Sequence, residues 1–451
     1  MLTTNSTQEN PASAGKQQQT GALVVTKERK QPQGAKAETG KAAASGKKPG
    51  LRPQGGIFSG VEKASARLAS TDYWLVLVTS IFLSVFGVIM VQSSASVEAI
   101  AAGRNGFTVA LSQALFAGVG IVCMLVMQFI HPSKLKRLAW PAVWAAVILL
   151  GLVAFTPLGH EVLGNRNWIK ITSTIGLQPS EFAKLALAVF SAFMLEKKQQ
   201  HLLSDVKHLV IPILAPVGVA ILFLVMLGKD VGTALVLIMI LATAMFLGGL
   251  RMKWLLGLGA AGFVLLSVAV MSSANRRGRI KAWLGIDCGS GDQCYQSNMG
   301  MHAFASGGWF GVGPGQSRMK WSYVPEAQND FIFSILGEEF GFIGVIFVLA
   351  LFAILALAMY RIAMRASDLY TRVLMGCLMS WIIGQTFVNL GTVTGVLPVI
   401  GVPLPFISSG GSAMLAVMLA MGFVLSSARQ QKKDQLVAVL PSAKPTTKPK
   451  D

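Results

Sequence analysis

About ten apolar stretches, each long enough to cross roughly 30 Å of hydrocarbon as a helix, limit what this chain can fold into more than any other feature. They run approximately over 73–96, 108–130, 138–157, 179–196, 209–227, 231–250, 254–274, 331–359, 370–392 and 409–427. In lipid every backbone N–H and C=O must be paired within the protein, so stretches of this length are expected to be helices. With 53% hydrophobic and 13% charged residues, the sequence is too apolar for an ordinary water-soluble globule. The expected fold is all-α: a polytopic membrane protein of about ten transmembrane helices, with a large extracytoplasmic loop (about 275–329) between the seventh and eighth.

The formal net charge of +19 is concentrated in two tails and in short loops between apolar runs. Such a distribution points to anionic lipid headgroups as partners and away from nucleic acid. Residues 1–70, rich in Lys, Gln, Ala, Gly and Ser, read as a disordered basic tail. Residues 429–451 read as a second polar tail. No short apolar stretch with a cleavage site precedes the first span, so that helix is expected to remain as an anchor. An even number of spans puts both tails on one side, together with Lys134, Lys136, Arg137, Lys197, Lys198, Lys207, Arg251, Lys253, Arg361, Arg365 and Arg372. By the positive-inside rule that side is cytoplasmic.

The large loop is too long for a mere connector. Its Trp283, Trp309, Trp321 and Tyr323 indicate segments lying in the membrane interface. Cys288 and Cys294 stand close together within it, where an oxidising exterior would permit a small disulfide; two free thiols are the alternative. Too few Cys or His stand nearby for a zinc site. Cys123 and Cys377 fall in apolar spans and read as inert packing residues.

Ionisable residues in or beside the spans carry the functional signal, because each is costly in hydrocarbon. Glu181 and Lys184 share a helix face, and Glu338 and Glu339 stand about two turns into the eighth span. They are either buried pairs that hold helices in register or the lining of a polar cavity; Asp230 has the same two readings. Outer basic residues, Arg166 and Lys170 around Trp168 and then Arg276, Arg277, Arg279 and Lys281, suit a phosphate or pyrophosphate as well as ordinary headgroups. The Gly-rich stretches 307–315 and 408–412 fit no nucleotide loop, although the second opens a helix whose N–H groups could meet an anion.

Asp330 is the most pointed of these residues. It stands where the large loop enters the apolar run from Phe331, either as an N-cap, a position Asp favours, or as a chemical group at the membrane surface.

Val324-Pro325-Glu326-Ala327-Gln328-Asn329-Asp330-Phe331-Ile332-Phe333 resembles the signature that follows the large outer loop of the SEDS family (shape, elongation, division and sporulation). Trp168-Ile169, Leu177-Gln178-Pro179-Ser180-Glu181-Phe182-Ala183-Lys184, Asp230-Val231-Gly232-Thr233, Tyr295-Gln296 and Pro405-Phe406-Ile407-Ser408-Ser409-Gly410-Gly411-Ser412 match in order. The resemblance covers roughly 73–427. Gly337-Glu338-Glu339-Phe340-Gly341 is nearer to the family's division member than to its elongation member. Gln328-Asn329 stands where His-Thr is usual, Gly228-Lys229 where Gln-Pro is usual, and Arg166 is one residue further from Trp168 than in many members.

The resemblance implies a peptidoglycan glycosyltransferase that polymerises lipid II on the outer face of the bacterial cytoplasmic membrane. In that reaction a sugar hydroxyl attacks an anomeric carbon and a lipid pyrophosphate leaves. The leaving group is already good, so one base can suffice where hydrolytic glycosidases pair two carboxylates. Asp330 is the candidate base. Arg166, Trp168, Lys184, Arg279, Glu326, Ser409 and Gly410 are candidate substrate-binding positions, while Glu181, Asp230, Glu338 and Glu339 are structural or cavity residues. A divalent cation such as Mg2+ would be compatible with the pyrophosphate. The implied partners are lipid II and the growing glycan strand, a class B penicillin-binding protein, and other division proteins. A lipid II flippase or a noncatalytic division scaffold are the rival functions.

Overall fold

Helices occupy the described part of every expected stretch. The structure, a computed structural model, describes residues 57–101, 103, 105–162, 164–170, 176–198, 214–271, 274–286, 293–321 and 323–439. The helices are α1 (Ile57–Ala101), α2 (Thr108–Met127), α3 (Ala139–Phe155), α4 (Pro179–Lys197), α5 (Val219–Leu227, led in by a π-turn at Leu214–Gly218), α6 (Val231–Leu247) and α7 (Met252–Met271). There follow α8 (Ala274–Trp283), α9 (Gln293–Gly307), α10 (Ile332–Arg365), α11 (Leu369–Val393) and α12 (Gly411–Val439).

Six helices among the described residues are by themselves long and apolar enough to cross a membrane. The count of ten spans rests on four more. Of these, α4 is diluted by Glu181, Lys184 and Glu196, and the apolar parts of α5, α6 and α7 are shorter. Residues 209–213 of the expected fifth span lie outside the described residues, as do 1–56, 440–451 and Cys288. α1 begins at Ile57, ahead of the first apolar stretch, and α12 carries Arg429–Val439 beyond the last. Both extensions are rich in Ala, Lys, Glu, Gln and Arg, which continue a helix readily.

In the core, α12 packs against α2 and α1, α10 against α1 and α11, and α11 against α6 and α4. Thirteen of the nineteen residues of α4 are buried. By contrast α7 stays peripheral, with Leu256, Phe263, Leu265 and Val268 exposed, as expected of a helix that faces lipid. At one end of the bundle Arg361 and Arg365 both pair with the buried Asp72, and Lys136 pairs with Glu196 at 2.6 Å.

Two features depart from an all-helical expectation. Between α3 and α4 the chain forms a three-stranded antiparallel sheet of β1 (Gly159–Val162), β2 (Asn165–Lys170) and β3 (Gly176–Leu177). Gly164, at φ +82°, stands just before β2. The second is a break in α10 at Gly341, where φ is +67°. Side chains rarely adopt that conformation, and a Cβ there would also collide with the Gly311 backbone. The segment Ile332–Glu339 before the break is wholly buried beneath α9 and the loop that follows it. The eighth apolar stretch is thus one candidate span, Ile332–Arg365, with a break at Gly341.

Candidate active site

A cavity of about 450 Å³ opens among the ends of α2, α4, α6, α10 and α12, with β2 as one wall. Asp330, Glu326, Asp230, Lys184, Trp168, Ser409 and Gly410 all line it. Segments far apart in sequence thus meet there, brought together by the ends of the helices.

Asp330 is not a helix cap. The capping position belongs to Phe331, which has no side-chain hydrogen bond, and the helical bonds begin from the Phe331 carbonyl. What fixes Asp330 is its backbone: its carbonyl accepts a 2.8 Å bond from Asn389 Nδ2, which also donates to Val402 O at 2.8 Å. The carboxyl is turned toward Gly401, where an added Cβ would stand 3.3 Å from Oδ2. The preceding residues are pinned as well, since Ser409 N donates to Gln328 O (2.9 Å) and Ser408 Oγ to Asn329 O (2.6 Å).

Burial pushes the Asp330 carboxyl up from the ordinary 3.8 to about 7. Repulsion from Glu326 adds to the rise, Arg279 opposes it, and Asp230 contributes a further push. A carboxylate that titrates near neutrality while lining a cavity is well matched to general-base work.

Glu326 shapes the loop beside it. With φ +55° it sits in the left-handed region, and its Oε2 accepts from Asn329 Nδ2 at 2.5 Å. Asp230 does act as a cap, accepting from Thr233 N (2.9 Å) and Thr233 Oγ1 (2.8 Å). It also receives Asn167 Nδ2 (2.9 Å) and Gln178 Nε2 (3.2 Å), and so ties α6 to β2 and to the start of α4. Lys184 forms the floor, bonded to Glu181 Oε1 at 2.7 Å and Gln385 Oε1 at 3.0 Å, with both charged residues about 1% exposed.

Several expected residues lie elsewhere. Arg166 does not line the cavity; its guanidinium donates to Thr156 O at 2.6 Å because β2 turns it back toward the end of α3. Arg279 on α8 bonds Val399 O at 3.4 Å and reaches Asp330 through charge, outside the lining. The amides of Ser409 and Gly410 are engaged by Gln328 O and Gln113 Oε1, which removes them as anion donors.

Glu338 and Glu339 anchor the loop and line no part of the cavity. Glu338 accepts from Ser317 Oγ (2.5 Å) and Arg318 N (3.0 Å), while Glu339 accepts from Ser93 Oγ (2.5 Å) and pairs with Lys320 (3.2 Å). Both are buried in the segment before the break at Gly341, facing Ser317, Arg318, Lys320 and Ser93. Sequence reasoning passed over Asn389, Gln113 and Asn167. A side-chain amide inside or beside an apolar span was the available signal.

Fold and site together define a multi-pass membrane protein with a large cavity that holds a carboxylate poised near neutrality. Residues 73–433 match the FtsW/RodA/SpoVE family, described as cell cycle proteins, and the chain belongs to that family. It is 38% identical over 366 residues to the probable peptidoglycan glycosyltransferase FtsW of Trichlorobacter lovleyi, covering 80% of this chain and 93% of that one. Stage V sporulation protein E of Bacillus subtilis is 36% identical over 82% of this chain and 100% of its own length. Among solved structures, a chain from a study of polymerization and crosslinking by a peptidoglycan synthase complex aligns with TM-score 0.65 at 26% identity, over 79% of this chain and 98% of that one. The rod shape determining protein RodA of Thermus thermophilus aligns with TM-score 0.58 at 25% identity, over 79% and 97%.

Proposed function

We propose that this FtsW-like chain is a peptidoglycan glycosyltransferase that polymerises lipid II during septal wall synthesis, with Asp330 as general base. The observation that carries the reading is a cavity carboxylate whose burial brings it to about 7, held by its own backbone and not spent on capping. Asp330 would take the proton of the acceptor sugar hydroxyl as its oxygen attacks the anomeric carbon of the donor. The carbon–oxygen bond to the lipid pyrophosphate then breaks, and that anion departs without needing a proton. Arg279, close enough to act on Asp330 by charge, would help offset the developing pyrophosphate charge.

Positive-inside loops support an orientation with both termini cytoplasmic and the cavity outside; the likeness to FtsW relatives is what supports a place at the division septum. A class B penicillin-binding protein is the partner we propose, by analogy with the related chain that belongs to a peptidoglycan synthase complex. Among the described residues no group of three or more His, Cys, Asp or Glu is placed to hold a metal. A cation such as Mg2+ would depend on pyrophosphate oxygens for most of its ligands, and no step above uses one.

The purified protein in vesicles, supplied with labelled lipid II, is expected to yield glycan polymer. Translocation without polymer would favour a flippase; neither polymer nor translocation would favour a scaffold.

A further inference from the structure

One wall of the cavity is built by a strand whose register slips. The pairs Gly159–Ile169 and His160–Trp168 give way to Glu161–Arg166 and Val162–Asn165. Asn167 is the extra residue, a β-bulge. In a regular strand neighbouring side chains point to opposite faces. The bulge suspends that alternation, and Asn167 and Trp168 both line the cavity.

Each of the two is held in a definite way. Trp168 lies against bare backbone at Gly176, where an added Cβ would stand 3.0 Å from the indole Cε3, so a side chain there would tilt the ring. Asn167 gives Nδ2 to Asp230 at 2.9 Å, which fixes the orientation of the amide. Its Oδ1 is buried and has no partner. A buried acceptor left unpaired is destabilising, a deficit that a ligand donor would relieve.

This wall suits a neutral ring better than a phosphate. Its basic neighbours do not line it: Arg166 is bonded to Thr156 O, and Lys170 is exposed outside the cavity. An aromatic face beside an unpaired amide oxygen and an anchored carboxylate matches a sugar whose C–H face stacks on the indole and whose acetamido N–H donates to the amide. We propose that Trp168 and Asn167 form the seat of an N-acetylated sugar ring, set apart from the groups that meet the pyrophosphate. The assignment rests on the glycosyltransferase reading for its substrate.

The test compares equilibrium binding of two probes, lipid II and undecaprenyl pyrophosphate, which lacks the sugars, to native protein and to Trp168→Ala, Trp168→Phe and Asn167→Ala, with polymerisation measured alongside. Trp168→Ala and Asn167→Ala are expected to weaken lipid II binding roughly tenfold, the worth of one lost contact of about 1.4 kcal/mol, while undecaprenyl pyrophosphate binding changes less than about twofold. Trp168→Phe, which keeps a ring, should retain most of the affinity. Equal weakening of both probes, or no weakening of either, would overturn the sugar seat. Sugar-selective binding in a native protein that makes no polymer would instead sink the glycosyltransferase reading and leave the seat standing.

Discussion

Replacing Asp330 by Asn is expected to lower the polymerisation rate by about 10²–10⁴-fold, the usual contribution of a positioned general base, while lipid II still binds. Asn keeps the size of the side chain and the backbone bond from Asn389, so the loop should stay in place. Stability should move the other way at alkaline pH. The folded carboxyl holds its proton to about 7, above its value of 3.8 in an unfolded chain. Its contribution is therefore fully present below about 3.8 and is lost as pH rises through about 7. The amide introduced by Asp330→Asn cannot ionise, so the variant should melt at or above the native temperature at alkaline pH. A variant that melts far lower would show that the lost activity reflects lost structure.

The second large effect concerns the cavity floor. Lys184→Met would leave Glu181 buried without its counter-ion, and removing one partner of a buried pair costs about 3–5 kcal/mol. Gln385 would also lose a donor, and Trp381 the ammonium lying 5.6 Å from its ring centre. Thermal unfolding in detergent should show the loss plainly. Glu181→Gln added to Lys184→Met should restore most of the stability, since no isolated charge remains. If the double variant is as unstable as the single one, packing by the lysine stem and not charge pairing holds the floor.

The helices were legible because lipid imposes one solution on long apolar runs. Much of the cavity was legible too: Lys184, Asp230, Glu326, Asp330, Ser409 and Gly410 each sit where a span meets a loop, and expensive polar residues at such boundaries stand out. What stayed hidden depends on side-chain direction. Arg166 belongs to the same strand as Asn167 and Trp168, yet it faces away, and only the bulge decides which of the three enter the cavity. Glu338 and Glu339 look like intramembrane charges in an unbroken helix. Their partners, Ser317, Arg318 and Lys320, come from the loop before α10, a packing that no spacing in the sequence reveals. Asp330 read as readily as a cap, because the Asn389 bond that holds its backbone comes from a residue far along the chain.

The most direct measurement is the pH dependence of polymerisation by the purified protein at lipid II concentrations well below saturation, where the rate follows kcat/KM and reports the free enzyme. A base must be ionised to act, so the rate should be half-maximal near pH 7 and fall about tenfold per unit below it. Glu326→Gln removes a charge that raises the Asp330 value and should move the midpoint toward acid. A rate that stays level from about pH 8 down to about pH 5, with Asp330→Asn still polymerising at the native pace, would contradict the assignment of Asp330 as the base.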